Sequence, residues 1–419
     1  MQLSRAAFSL ALFALLVLFA GTTRAQVARI DTTHTIYYEA PTRTNMFVYT
    51  PAVDGQVSPW EWLTVRAGWE ADVLTGASVS AKAGSAYAAT QQGADVITTA
   101  SVKDARNVAS GSFSIKKDAV TFDGGYSYGT ENDYKSHAMS ISARTELFEH
   151  NTQLQLDYAR NFDRVCDRVQ GANDGFARYR ALESSKGCWT GGQDPLRTSR
   201  GVDIDSLQGS WSQAWSPIFQ TQLVYTLQVA NGFQSNPYRS IILGAGIKAQ
   251  EHHPDNRTRH AVAARANFYL KPLRAALRFG IRGYWDTWDV LSGDAEVDFE
   301  KYLGERLRVS LRGRFYKQGG ALFWSDDYTG GNPPLGPKGQ YWTGDRELSP
   351  FFSILTGVRL DYTLTPSAGK RKVLGFLEEL KLGASFDLLN LVYDEYTLAG
   401  RPVDDARAYI VGANAGFAF

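Results

Sequence analysis

The chain has 419 residues, of which 13% are aromatic and 39 are glycine, and its formal net charge is +1. A balance that close to zero gives no footprint for nucleic acid or another strongly charged partner, and no stretch beyond the first 25 residues approaches the run of about 18 apolar residues that a spanning helix needs. Length alone would allow two or three soluble domains, but no linker, low-complexity tract or long amphipathic helix divides the sequence.

Residues 1–25 begin with Arg5, continue through an apolar run from Ala6 to Ala20, and end in Thr23-Arg24-Ala25. Small residues at Thr23 and Ala25 suit cleavage before Gln26, so the segment reads as a secretory signal peptide. No cysteine lies near that cut, which argues against a lipoprotein. Of the 44 Lys+Arg, Arg5 and Arg24 leave with the signal, so the exported chain carries 42 against 43 Asp+Glu. Residues 26–419 then form a single domain.

Downstream the dominant pattern is period 2, the mark of strands whose two faces meet different surroundings. It places sixteen strands near 32–39, 45–57, 62–73, 105–117, 119–131, 134–147, 152–165, 203–215, 220–233, 257–270, 274–287, 292–302, 305–318, 348–364, 374–390 and 405–419. Leu63, Val65, Ala67, Trp69, Ala71 and Val73, for instance, alternate with Thr64, Arg66, Gly68, Glu70 and Asp72. The reading is all-β, a transmembrane β-barrel of the outer-membrane type, with sixteen antiparallel strands. Fourteen is the alternative, because Thr32–Glu39 is the shortest assignment. Such barrels have short periplasmic turns and long external loops. Counted back from Phe419, all four connections longer than twenty residues fall outside. The inner connection 365–373, with Lys370, Arg371 and Lys372, fits least well.

Cys166 and Cys188 fall in one external connection, 22 residues apart, and in an exported chain they are expected to form a local disulfide. Farther on, Glu251-His252-His253-Pro254-Asp255 offers imidazoles and carboxylates, but Pro254 extends the backbone and no spaced partner set accompanies it. The segment reads as a polar strand start, with Arg257 and Arg259 held by carboxylates and no metal. No cofactor is expected, and Cys-x-x-Cys-His, the c-type haem attachment motif, is absent from the sequence.

The hairpin Asp294–Tyr316 is the most informative. With Tyr302-Leu303-Gly304 as a three-residue turn, register would set Glu300 opposite Arg306, Asp298 opposite Arg308, Glu296 opposite Ser310 and Asp294 opposite Arg312. Arg278, Arg282 and Arg314 join the same face, which puts an acidic strand between two basic ones inside the barrel. The lattice reads two ways: as a field across a pore that orients charged solutes, or as ion pairs that fill the lumen and fix register. The loop 319–347 carries Phe323, Trp324, Tyr328, Tyr341 and Trp342, and either folds into the lumen or packs outside.

The chain ends ARAYIVGANAGFAF. Tyr409, Phe417 and Phe419 resemble the terminal aromatic signal by which outer-membrane barrels are recognised for insertion, which makes the barrel-assembly machinery and outer-membrane lipid the expected partners. Enzyme readings are weaker. His137 and His260 are the strand histidines expected to point outward, without the serine a barrel phospholipase needs. The pair Asp326-Asp327, which a protease of the omptin kind would use, sits in a long loop.

Tyr37-Tyr38, Leu74-Thr75-Gly76-Ala77-Ser78, His253-Pro254-Asp255-Asn256-Arg257-Thr258-Arg259 and Gly344-Asp345-Arg346-Glu347-Leu348-Ser349 resemble the domain-of-unknown-function 3570 family of outer-membrane proteins. The resemblance implies a barrel without an assigned cargo, and an envelope redox context for some members, with no functional residue to carry over. The leading expectation is a channel of porin-like build. A non-conducting barrel that binds an envelope partner comes second, and a membrane enzyme third.

Overall fold

The period-2 alternation becomes sixteen antiparallel strands that close on themselves. The computed structural model describes residues 27–40, 46–78, 96–98, 100–169, 188–189, 196–243, 247–326, 328, 340–366, 372–393, 395–398, 401–402 and 405–419. Residues 1–25, expected to be a signal peptide, and Asp327, Pro333, Pro334, Lys370 and Arg371 lie outside them. In chain order the strands are β1 (Val27–Ala40), β2 (Phe47–Trp60), β3 (Leu63–Ser78), β4 (Ala100–Lys117), β5 (Val120–Thr130), β6 (Tyr134–Leu147), β7 (Thr152–Arg168) and β8 (Arg197–Ser216). The second half comprises β9 (Phe219–Gly232), β10 (Asn256–Leu270), β11 (Ala275–Asp286), β12 (Leu291–Leu303), β13 (Leu307–Gln318), β14 (Phe351–Leu364), β15 (Glu379–Val392) and β16 (Ala406–Ala418).

Each strand pairs with the next, and β16 returns to β1 with Tyr409 opposite Tyr38 and Ala418 opposite Arg29. β1 is paired on both sides, so the count is sixteen and not fourteen. Closure removes the open edge, whose unpaired backbone groups would each cost several kcal/mol in a bilayer.

Alternation assigns the faces. Phe279, Ile281, Val297, Leu311 and Phe315 are exposed on the outer surface, while the charged residues between them point inward. A continuous exposed apolar belt is not the surface of a soluble protein; it belongs to a barrel that crosses lipid. Three histidines also face outward, each joined through Nδ1 to a tyrosine hydroxyl on the neighbouring strand: His34 with Tyr49 (2.8 Å), His137 with Tyr126 (2.6 Å) and His260 with Tyr225 (2.9 Å). His34 adds to the two outward histidines expected from the sequence.

The connections 61–62, 118–119, 148–151, 217–218 and 304–306 lie at the end that holds Val27 and Phe419. The long connections 79–99, 169–196, 233–255 and 319–350 lie at the other. The connection after β14 is longer than expected, 365–378, because Leu374 and Gly375 take left-handed backbone (φ 52° and 87°) and keep residues 374–378 out of β15. Cys166 and Cys188 are disulfide-bonded, as their spacing indicated.

One register differs from expectation. β12 and β13 set Glu300 opposite Ser310, Asp298 opposite Arg312, Glu296 opposite Arg314 and Asp294 opposite Tyr316. The turn is Gly304-Glu305-Arg306, closed by Leu303 opposite Leu307, with Gly304 at φ 73°. Arg306 therefore sits in the inner turn and not opposite Glu300. The slip is four residues, an even number. Every side chain keeps its face, so alternation alone does not distinguish the two registers.

Candidate functional site

Two long connections fold back over the lumen at the outer end and meet there. In 233–255, Arg239–Leu243 and Ile247–Gln250 form a small antiparallel hairpin, with Val96–Thr98 as a third strand. In 319–350, Ala321, Phe323 and Leu348 pack with Trp288 and Val290 from the β11–β12 connection into an apolar cluster. The backbones of His252 and Trp342 exchange two hydrogen bonds, at 3.0 and 2.9 Å. The Trp342 indole, fully buried, donates to the Gln250 carbonyl at 2.7 Å.

Polar contacts carry this bar from wall to wall. On one side Arg346 donates twice to the buried Glu39 of β1, at 2.6 and 2.9 Å. Beside it Asp345 caps the short 3-10 helix Arg346–Leu348 by accepting from the Glu347 backbone N–H. Asp345 also pairs with Arg239, whose guanidinium lies 3.6 Å from Glu251. Glu251 accepts from the Thr343 hydroxyl at 2.8 Å. On the far side Gln250 donates to Asp167 of β7 at 3.2 Å. β1 and β7 stand six strands apart in the barrel, so the chain of contacts crosses the mouth. Next to it lies a cavity of about 850 Å3, whose lining includes Arg106, Arg257, Arg259, Arg282, Tyr284 and Tyr316.

Glu251-His252-His253 is thus no strand start; it lies at the centre of the bar. Arg257 is held by Asp286 at 2.5 Å, as expected, whereas Arg259 donates to Gln228 and not to a carboxylate. The described residues of the 319–350 loop, 319–326, 328 and 340–350, take the inward option.

Glu251 Oε2 and His253 Nε2 face each other at 3.7 Å, both buried. Burial pushes the Glu251 carboxyl up to about 7 against the pull of Arg239, and pushes the His253 imidazole down to about 4 against the pull of Asp345. The two act in opposite directions on docking. A raised carboxyl favours the docked loops below its ordinary value of 4.5 and loses that contribution as pH rises toward 7. A depressed imidazole contributes above its ordinary 6.5 and loses that contribution as pH falls toward 4. Across the shared window they offset one another, so docking in the intact protein should vary little with pH. In His253→Gln only the Glu251 dependence remains, and the loops should be released progressively from pH 5 to 7. Limited proteolysis of the loops across that range checks this; a flat profile in the variant would contradict it.

Below the bar the inward charges form ion pairs whose partners differ from the expected ones. Arg278 bonds Glu300 at 2.8 Å, with Arg308 3.7 Å from the same carboxylate, and Arg314 reaches Asp294 at 3.2 Å. Arg308 bonds Asp361 of β14 at 2.9 Å instead of Asp298. Two bridges of this lattice skip a strand. Arg265 of β10 reaches Glu296 of β12 at 3.3 Å, and Arg312 of β13 binds Asp387 of β15 through two contacts of 2.6 and 2.5 Å.

Each of these two bridges passes over a glycine in register between its partners: Arg265–Gly280–Glu296 and Arg312–Gly357–Asp387. A Cβ at Gly280 would lie 2.5 Å from Glu296 Oε1, and one at Gly357 only 1.8 Å from Asp387 Oδ1. The missing side chain is what lets the carboxylate swing across. Among the described residues, Arg282 has no ion-pair partner, and it projects into the cavity.

At the seam, Tyr409 lies opposite Tyr38 and Phe417 opposite Ile30. The Phe419 backbone donates to Ala28 at 2.9 Å, and its ring lies 6.4 Å from that of Phe376.

A family model for proteins of unknown function, DUF3570, matches residues 5–376. The chain belongs to this family. No curated protein matches it. Among solved structures it is similar to a bacterial polysaccharide outer membrane secretin, at 7% identity and a TM-score of 0.48, over 94% of this chain and 98% of that one. It is also similar to OccK2 (OpdF) of Pseudomonas aeruginosa, at 9% identity and a TM-score of 0.41, over 94% and 98% of the two chains. OccK9 (OpdG) of the same organism gives 7% and 0.41, over 94% and 99%.

The residues that sequence reasoning missed are those of the bar: Glu39, Arg239, Asp345 and Arg346. The available signal was Glu39 itself, a carboxylate at the outer end of the inward-facing series of β1.

Proposed function

We propose that the protein is an outer-membrane channel of porin-like build, whose outer mouth is narrowed by two of its own loops and whose wall guides small polar solutes by charge. The supporting observation is the bar from Glu39 to Asp167, set over an inward face dense in arginine and carboxylate beside a cavity of about 850 Å3. A barrel of this strand number is wide enough for an aqueous path that its loops then restrict. Charge on that path sets ion preference and need not involve any chemical step. Export by the signal at residues 1–25, and insertion aided by Tyr409, Phe417 and Phe419, belong to the same reading.

Purified protein in a planar bilayer tests it. Discrete conductance steps, small for sixteen strands because the mouth is barred, are expected. A barrel that inserts and stays silent would refute the channel and favour the partner-binding alternative.

A further inference from the structure

The lipid-facing side of β5 to β8 carries charges for which conduction has no use. At one level across β5, β6 and β7 lie Tyr128, His137 and Phe162, with His137 opposite both neighbours in register. The Tyr128 and His137 rings are 4.9 Å apart. This is an aromatic girdle, the signature of the headgroup level of a bilayer. Just beneath, Arg160 lies 5.0 Å from the centre of the Phe162 ring and is tied to Asp203 and Asp205, both at 3.7 Å.

One pleat farther out, Lys135 and Arg164 are direct cross-strand partners on the same outward face. Two cations directly opposite each other on neighbouring strands repel, and among the described residues neither has a carboxylate within ion-pair distance. The Lys135 ammonium lies 4.8 Å from the centre of the Trp189 ring, in a segment that the Cys166–Cys188 disulfide pins to this wall. Below the Arg160–Asp203–Asp205 group the same face is apolar, with Ile141, Tyr158, Leu156 and Leu207 exposed.

We infer that Lys135 and Arg164 form a docking site for a phosphate of an outer-leaflet glycolipid of the lipid A type. The uncompensated charge calls for an anion. Its position just outside an aromatic girdle is where lipid phosphates lie, and the apolar strip beneath receives acyl chains. A soluble anion would use the first feature and not the third. The inference rests on the outer-membrane placement of this end of the barrel and is independent of conduction.

Native mass spectrometry of the full protein in detergent, titrated with diphosphorylated lipid A, tests it. Retention of lipid A is expected, with weaker retention of the same lipid stripped of phosphate and no competition from inorganic phosphate. The double variant Lys135→Gln plus Arg164→Gln should bind about thirtyfold more weakly, the ratio that two contributions of about 1 kcal/mol amount to. Lys117→Gln, on the outward face at the opposite end, should bind as wild type. Heat-modifiable migration of each variant establishes that its barrel is intact, and either single variant serves if the double one does not assemble. Undiminished lipid A binding by the variants, equal binding of the dephosphorylated lipid, or displacement by inorganic phosphate would each overturn the site. None of these results depends on whether the barrel conducts.

Discussion

Arg346→Ala is expected to unbar the mouth and raise single-channel conductance severalfold. Glu39 is fully buried, and Arg346 satisfies both of its oxygens. Removing the arginine takes away the guanidinium that compensates a buried carboxylate, to which the Tyr37 hydroxyl at 3.0 Å offers only a neutral donor, and breaking a buried ion pair from one side costs about 3–5 kcal/mol. The strand ladder cannot relieve that cost, but the 319–350 loop can, by undocking and letting water reach Glu39. The loop is therefore expected to become protease-sensitive while the barrel keeps its heat-modifiable migration. Glu39→Gln should be milder, because an amide keeps an acceptor for the guanidinium and removes the charge that needs compensation. Unchanged conductance together with a protected loop in Arg346→Ala would mean that this pair does not hold the bar.

The difference between what was legible and what was not follows from distance along the chain. Strand number and face come from neighbouring residues, so Leu63 to Val73 or the terminal Tyr409 to Phe419 could be read directly. Connection length likewise marked the end at which long loops stand. The four-residue slip between β12 and β13 escaped because an even shift preserves both faces, and because Gly304 opens the turn instead of closing it. The bar escaped for another reason. Glu251 meets Thr343 92 residues away, and Glu39 meets Arg346 307 residues away. A polar loop segment such as Glu251-His252-His253 carries no local sign that such a partner will bury it. The disulfide was legible because two cysteines in one connection, the only two in the sequence, have few alternatives.

The corrected register gives a double-mutant cycle with a definite sign. Arg312 and Asp387 are two strands apart, linked by two hydrogen bonds over Gly357, with the Asp387 carboxylate nearly fully buried. Their coupling energy should lie in the range of about 0.5–3 kcal/mol typical of residues in direct contact. Asp298 and Arg308, the pair expected from the sequence, should couple near zero, because Arg308 bonds Asp361 and Asp298 has no ion pair among the described residues. Gly357→Ala should destabilise the barrel much as Asp387→Asn does, because its Cβ would occupy the position of Asp387 Oδ1. Ion selectivity separates wall from filler. Arg312→Ala alone should lower the preference for anions and Asp387→Ala alone should raise it, while the double variant returns it toward wild type, since the net wall charge is restored. If the cycle shows strong coupling but neither single change moves the selectivity, the lattice holds the barrel together without lining the conducting path.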